Sequence, residues 1–133
     1  MTGRVLLADD DHALLRVLEI NLAARGYQVD VATTGEAALT RAMRHPDLIV
    51  LDLGLPDLDG TEVIASVRVF SDVPILAISA QDDQRAAAAL RAGADDYLAK
   101  PFSIDRLVTR VRAALNHSPG EGAGNAAGCA MMG

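Results

Sequence analysis

The sequence predicts an α/β protein built around a doubly wound, five-stranded parallel sheet, and three observations predict it. Five short apolar runs, VLLA (5–8), YQVDVA (27–32), LIVL (48–51), PILAIS (74–79) and DYLA (96–99), alternate with five longer segments of helical periodicity. Runs one, three and four are nearly unbroken Leu, Ile, Val and Ala, as expected of strands covered on both faces. Half of the 133 residues are hydrophobic, with no Trp and only two Phe, so one domain with an aliphatic core is expected.

The first run ends in three adjacent carboxylates, Asp9, Asp10 and Asp11, and HALLRVLEINLAARG then spaces Leu14, Leu15, Leu18 and Leu22 as a helix that stops at Gly26. The second run alternates, Tyr27, Val29 and Val31 against Gln28 and Asp30, which suits an edge strand. TGEAALTRAMRHP puts Ala38, Leu39 and Met43 on one helical face and ends before Pro46. The third run leads into Asp52, and GTEVIASVRVF follows with Val63, Ile64 and Val67. The fourth run closes on Ser79. Behind it, QDDQRAAAALRAGA is Ala-rich, has a modest apolar stripe and ends near Gly93. The fifth run leads to Lys100, and SIDRLVTRVRAALNH begins on Ser103 as N-cap and repeats Leu107, Val108, Val111 and Leu115. From Ser118 the Gly- and Ala-rich SPGEGAGNAAGCAMMG has no periodicity. Residues 1–117 are therefore read as the domain and 118–133 as a disordered tail or truncated linker.

Composition narrows the function. A formal charge of −6 argues against nonspecific binding of nucleic acid by this domain, which needs a basic face. One cysteine, Cys129, excludes an intramolecular disulfide and suits a reducing, cytoplasmic setting. No leader pattern stands out and no apolar stretch nears the ~18 residues of a membrane span, so no membrane role is expected. His12, His45 and His117 are scattered, without metal-ligand spacing.

Right-handed crossovers align the C-terminal ends of all five strands along one edge, where ligands of such sheets bind. That edge collects Asp9 and Asp10 after the first strand, Asp52 at the end of the third, Ser79 at the end of the fourth and Lys100, the sole lysine, after the fifth. Taken singly, these residues read as a helix cap, strand terminators and a solvated charge. Together they point to phosphoryl transfer onto a carboxylate. Three acids in one pocket call for a hard divalent cation, and all-oxygen ligation fits Mg²⁺. An Asp52 oxygen can attack phosphorus and form an acyl phosphate. Mg²⁺, Lys100 and the Ser79 hydroxyl would then balance the charge on the three phosphoryl oxygens. Asp11 lies outside this set, at the start of the first helix.

The motifs LLADDD, LIVLDLGLPDLDG, PILAISA and GADDYLAKPF, in that order, resemble the receiver domain of bacterial two-component response regulators from about Arg4 to His117. LDLGLPDLDG with GADDYLAKPF is most similar to the winged-helix (OmpR/PhoB-type) subfamily and its potassium-transport regulators. The resemblance implies a flavodoxin-like (βα)5 fold with strand order 2-1-3-4-5. It makes Asp52 the phosphoacceptor, served by a sensor histidine kinase. Asp10 and Asp52 become direct Mg²⁺ ligands, Asp9 a ligand largely through water, and the Gly54 carbonyl the remaining protein ligand. Ser79 and Tyr97 match the switch pair, Lys100 the phosphate-contacting lysine, and Lys100–Pro101 is expected to be cis. Gln81 and Gly54 border the path of hydrolytic water. Pro56 and Gly60 shape the loop that presents Gly54.

The resemblance also has gaps. Relatives pair through helix four, strand five and helix five by cross-subunit ion pairs. Asp96 and Arg110 match one such pair. Ala86 stands where a base is expected, Arg106 where its acid partner would be, and Arg91 where an acid would face Arg112. A monomer, or a weak or phosphorylation-induced homodimer, is therefore expected. The winged-helix effector is not among these residues. That leaves open a receiver that regulates transcription through a DNA-binding domain in a longer protein and a stand-alone receiver working by protein contacts. A pseudo-receiver, which keeps the fold without the chemistry, conflicts with the complete polar set. An aspartyl-phosphate phosphatase usually carries an acid where Gly54 stands, and a flavin module needs a Ser, Thr and Gly phosphate loop where ADDDH stands.

Overall fold

In the computed structural model, which describes residues 3–80 and 83–116, the five apolar runs are strands and the intervening segments are helices. In chain order these are β1 (Arg4–Ala8), α1 (His12–Ala24), β2 (Gln28–Ala32), α2 (Gly35–Ala42) and β3 (Leu48–Asp52). There follow α3 (Gly60–Phe70), β4 (Ile75–Ala80), α4 (Asp83–Ala92), β5 (Asp96–Lys100) and α5 (Ile104–Asn116). All pairings are parallel, in the order β2-β1-β3-β4-β5. The central strand β3 is buried throughout and the alternating β2 forms an edge, as their patterns predict.

Each face of the sheet carries its own aliphatic core. On one face Leu6, Ile49, Leu51 and Ile75 pack beneath Val63, Ile64 and Val67 of α3, Ala38 and Ala42 of α2 and Ala89 of α4. On the other, Val5, Leu7, Val50 and Ile78 meet Leu15, Leu18 and Leu22 of α1 and Leu107, Val108, Val111 and Leu115 of α5. Alternate residues of one strand feed opposite cores, which is why the buried runs must be apolar without interruption.

Capping side chains fix where helices begin. Asp11 accepts from the Leu14 amide (3.1 Å), Thr34 from Ala37 (3.0 Å), Asp59 from Thr61 (2.9 Å) and Ser103 from Arg106 (3.1 Å). Gly93 ends α4 with φ of 126°, a conformation costly for any residue with a side chain, and an added Cβ would lie 2.9 Å from Arg68 Cγ. Helix α2 departs from expectation: it stops at Ala42, and Met43 is 65% exposed instead of joining the Ala38 face. His45 takes φ of 58° just ahead of Pro46, whose ring disfavours helical backbone at the residue before it. Met43 itself keeps helical backbone (φ −70°, ψ −8°) as the C-cap, and five residues beyond Ala38 the helical turn carries it about 140° round from that face, toward solvent.

The register decides what meets at the C-terminal edge. Ala8 lies opposite Leu51 and Asp52 opposite Ile78, while Ser79 pairs with Ala99 and Ala80 with Lys100. The polar residues that close β1, β3, β4 and β5 are thereby brought to one level.

Candidate functional site

Asp9, immediately after β1, is held by a bond from its own amide to the Ala32 carbonyl (3.0 Å). Its carboxylate is turned inward and 1% exposed, accepting from the Asp11 amide (2.9 Å) and from Lys100 Nζ (2.9 Å). Asp52, the last residue of β3, is 5% exposed; its Oδ1 accepts from the Gly54 amide (3.1 Å) and its Oδ2 lies 3.5 Å from Lys100 Nζ. Asp10 is exposed at the rim. Asp9, Asp10 and Asp52 each offer a carboxylate oxygen within 4.8 Å of the others. Ser79 is buried beside this group, at the end of β4.

Lys100 is the ammonium between two of these acids, and burial acts unequally on the partners. Its side chain is 26% exposed against 2% for Asp9. Burial therefore dominates at Asp9 and raises its pKa above the ordinary carboxylate value, despite the hydrogen bonds from Lys100 and from the Asp11 amide. At Lys100 burial pulls the other way, but the Asp9 bond and the charges of Asp9 and Asp52 outweigh it, and the pKa is raised. The lysine thus stays protonated. Three carboxylates gather beside one ammonium that pairs with only Asp9 and Asp52, an excess of negative charge that a small divalent cation would neutralise. The donors are all oxygens, which fits a hard cation.

Every site residue predicted from the sequence and lying among the described residues reaches this edge. Gly54 follows Asp52 in the β3–α3 loop; a Cβ there would sit 3.7 Å from Asp52 Oδ1, an ordinary contact, so its backbone and not its lack of a side chain is what the site can use. The Tyr97 hydroxyl donates to the Ala80 carbonyl (3.0 Å), and its ring packs against the α2–α3–α4 core. Lys100–Pro101 is cis. Gln81, His117 and the tail from 118 lie outside the described residues, while His12 and His45 are exposed. Asp96 and Arg110, matched in sequence to a cross-subunit pair, form an ion pair within one chain, with Arg110 Nη1 2.9 Å from both carboxylate oxygens.

Sequence reasoning missed the polar frame of the β3–α3 loop. Asp57 accepts from the α2 amides of Gly35 (2.6 Å) and Glu36 (3.0 Å), and Arg85 of α4 donates to the Leu53 carbonyl (2.9 Å). The amides of Gly35 and Glu36 hold the Asp57 carboxyl below its usual range, and those bonds span 22 and 21 residues of sequence. No local pattern announces such partners.

The chain is similar in sequence and fold to known proteins. Residues 5–112 match the model of the response regulator receiver domain. The chain is 47% identical over 116 residues to the transcriptional regulatory protein KdpE of Mycobacterium tuberculosis H37Rv, covering 86% of this chain and 51% of that protein. It is 47% identical over 113 residues to the KDP operon transcriptional regulatory protein KdpE of Escherichia coli K12, covering 84% and 50%. With the response regulator MprA of Mycolicibacterium vanbaalenii it shares 44% over 131 residues, 96% of this chain and 57% of that one. Among solved structures, the CheY-like receiver of Methanospirillum hungatei superposes with a TM-score of 0.85 at 27% identity, over 92% of this chain and all of that one. A putative response regulator from Chloroflexus aurantiacus gives 0.81 at 38%, over 87% and 99%.

The fold and the acidic edge define a signalling receiver of the two-component type. The chain belongs to the response regulator receiver family, with OmpR/PhoB-type regulators among its relatives. It spans about half the length of the curated relatives it matches. Among the described residues no helix is long and apolar enough to cross a membrane.

Proposed function

We propose that the chain is a phosphorylation switch in which Asp52 accepts a phosphoryl group from a sensor histidine kinase. The observation that carries this reading is the meeting of Asp9, Asp10, Asp52 and Lys100 at the C-terminal edge, with the Asp52 carboxylate buried and aimed at the sole lysine. Asp9, Asp10, Asp52 and the Gly54 carbonyl would hold Mg²⁺, which supplies charge neutralisation and orientation at the transferring group.

The chain's own residues do the rest. Gly54 N–H fixes Oδ1 of Asp52, which leaves Oδ2 facing Lys100 as the attacking atom. Attack of that oxygen on phosphorus forms an acyl phosphate while the bond from phosphorus to the donor breaks and its electrons leave with the donor. Lys100 is placed to move from Asp9 toward an added phosphoryl oxygen, and the Ser79 hydroxyl toward another. A Ser79 that moves would draw on β4, and Tyr97, hydrogen-bonded to Ala80 of that strand, is the residue that would register the change. No substrate other than the phosphodonor is turned over, so the role is that of a signalling domain and not of an enzyme.

The unit that switches is residues 1–117, with 118–133 as a linker or tail. Its output is transcription regulation in a longer, cytoplasmic protein like KdpE or MprA; protein contacts alone are the output if the receiver stands by itself. Intact mass after incubation with Mg²⁺ and a small phosphodonor tests the chemistry. One added phosphoryl group is expected, absent with EDTA and absent in Asp52→Asn. Addition that persists in Asp52→Asn would place the acceptor elsewhere.

A further inference from the structure

The loop from Leu53 to Asp59 carries Gly54, and its far end rests on a neighbouring helix. Asp57 Oδ1 and Oδ2 accept from the amides of Gly35 and Glu36 at 2.6 and 3.0 Å, so one carboxylate closes two of the amides left open at the start of α2. The adjoining Leu58 seats on the same residue. A Cβ at Gly35 would come within 2.8 Å of Leu58 Cβ and 2.9 Å of its Cδ1, so the approach of loop to helix depends on glycine there. Leu58 also packs against the core beneath α2 and α3. Two independent contacts, one polar and one steric, therefore converge on Gly35.

We propose that Asp57 is a positioning residue for the cation site: by fastening the β3–α3 loop to the first turn of α2, it holds the Gly54 carbonyl where the divalent cation of the Asp9–Asp10–Asp52 cluster binds. The inference rests on the switch reading above. Asp57 lies three residues beyond Gly54 and is not one of the clustered carboxylates, so it would act through the path of the loop. Leu53 and Leu55, 1% and 7% exposed, fix the near part of the loop by burial, and Asp57 fixes the part that follows Pro56. Because the clamp ends on α2, the coupling is reciprocal: cation binding strengthens the two amide bonds by as much as those bonds strengthen cation binding.

Mg²⁺ titration of the ¹⁵N-labelled chain, with hydrogen exchange at Gly35 and Glu36 in the same samples, tests this without any phosphoryl transfer. Outer groups that orient metal ligands typically change affinity by about 10–100-fold, and a loop anchor belongs near the lower figure. Asp57→Ala should thus weaken Mg²⁺ binding roughly tenfold and strip protection from both amides. Asp57→Asn, which keeps one acceptor oxygen, should fall between. Gly35→Ala separates the clamp from plain electrostatics, because it keeps every charge while forcing Leu58 away; the inference expects weakened Mg²⁺ there too. Wild-type affinity in Gly35→Ala with a loss in Asp57→Ala would mean a through-space charge effect and overturn the proposal. So would unchanged affinity in Asp57→Ala once the amides have lost protection. A wild-type chain with no saturable Mg²⁺ response would sink the switch reading itself, and this inference with it.

Discussion

Helices α4 and α5 flank the same edge strand, yet they are attached to the protein by different means. Helix α5 buries Leu107, Val108, Val111 and Leu115 in the core it shares with α1. Helix α4 buries only Ala89. What α4 has instead is polar attachment at both ends. At its start Arg85 donates to the Leu53 carbonyl and lies close enough to Asp59 to lower that acid's pKa. At its finish, Arg68 of α3 donates to the Gly93 carbonyl through Nε (3.0 Å) and Nη2 (2.9 Å). Apolar burial fixes a helix in one place, because any displacement exposes surface at roughly 25 cal/mol per Å². A few directional hydrogen bonds hold a helix with less and can be exchanged for others. Of the two, α4 has the attachment that is easier to exchange, and its first anchor sits one residue beyond Asp52.

The largest effect that tests this contrast is on stability. Leu107→Ala should cost about 2–5 kcal/mol in urea denaturation, as large-to-small changes in close-packed cores do. Ala89→Gly removes the one buried side chain of α4 and should cost only about 1–2 kcal/mol, from helix propensity and a lost methyl group. Native-state hydrogen exchange should show the same order, with α4 amides opening well below the global unfolding free energy and α5 amides near it. Equal protection in the two helices would break the comparison.

That difference was partly legible in the sequence. The Leu and Val repeat of SIDRLVTRVRAALNH and the bare alanines of QDDQRAAAALRAGA already separate a deeply packed helix from a lightly packed one. The strand runs, the edge character of β2 and the gathering of Asp9, Asp52 and Lys100 at one edge follow from periodicity and from the handedness of crossovers, which are local or universal properties. The misses are of another kind. The periodic pattern, read past Ala42, expects Met43 inward, but as the helical C-cap it is carried round to the solvent side, away from Ala38 and Ala42. Arg85 with Leu53, Asp57 with Gly35 and Arg68 with Gly93 join residues 22 to 32 apart, and a charged residue in a polar segment has no periodicity to reveal its partner. Asp96 and Arg110 were matched as partners, and only the structure shows that a single chain can close the pair on itself.

A smaller effect, and a pH-dependent one, sharpens the contrast at the start of α4. Asp59 caps α3, accepting from the amide and hydroxyl of Thr61, and these bonds, more than the nearby Arg85 charge, hold its carboxyl below the usual value of 3.8. A folded pKa below the unfolded one contributes stability that is present above about pH 4 and lost as pH falls through the depressed value. Asp59→Ala should therefore cost about 1 kcal/mol at neutral pH, as N-cap removal does, and the gap to wild type should close in acid. Protonation also removes the charge that Arg85 faces, so α4 amides should lose protection in acid before those of α5. A stability gap between wild type and Asp59→Ala that is flat from neutral pH into acid would show that the ionised carboxylate is not what holds this corner.

The smallest effect concerns the outer surface of β5 and α5. Arg110 is two-thirds buried by side chain and Asp96 about half, so their ion pair lies near the surface, where such pairs contribute roughly 0–1 kcal/mol. Arg110→Ala should barely change stability. Its consequence is for association, because an Asp96 already satisfied inside its own chain has little to gain from the arginine of a second copy. Arg106 is exposed on α5, where the resemblance expects an acid, and Ala86 on α4 stands where it expects the basic partner. Light scattering should therefore find a monomer in the unphosphorylated state at micromolar concentration, with weak pairing at most after phosphorylation. If Arg110→Ala frees Asp96 for a partner, mixing it with an Asp96→Ala chain, which retains a free Arg110, should give more heterodimer than either variant gives homodimer. A tight wild-type dimer that Arg110→Ala disperses would reverse the assignment, because the pair would then be working between chains and the internal contact would be its resting alternative.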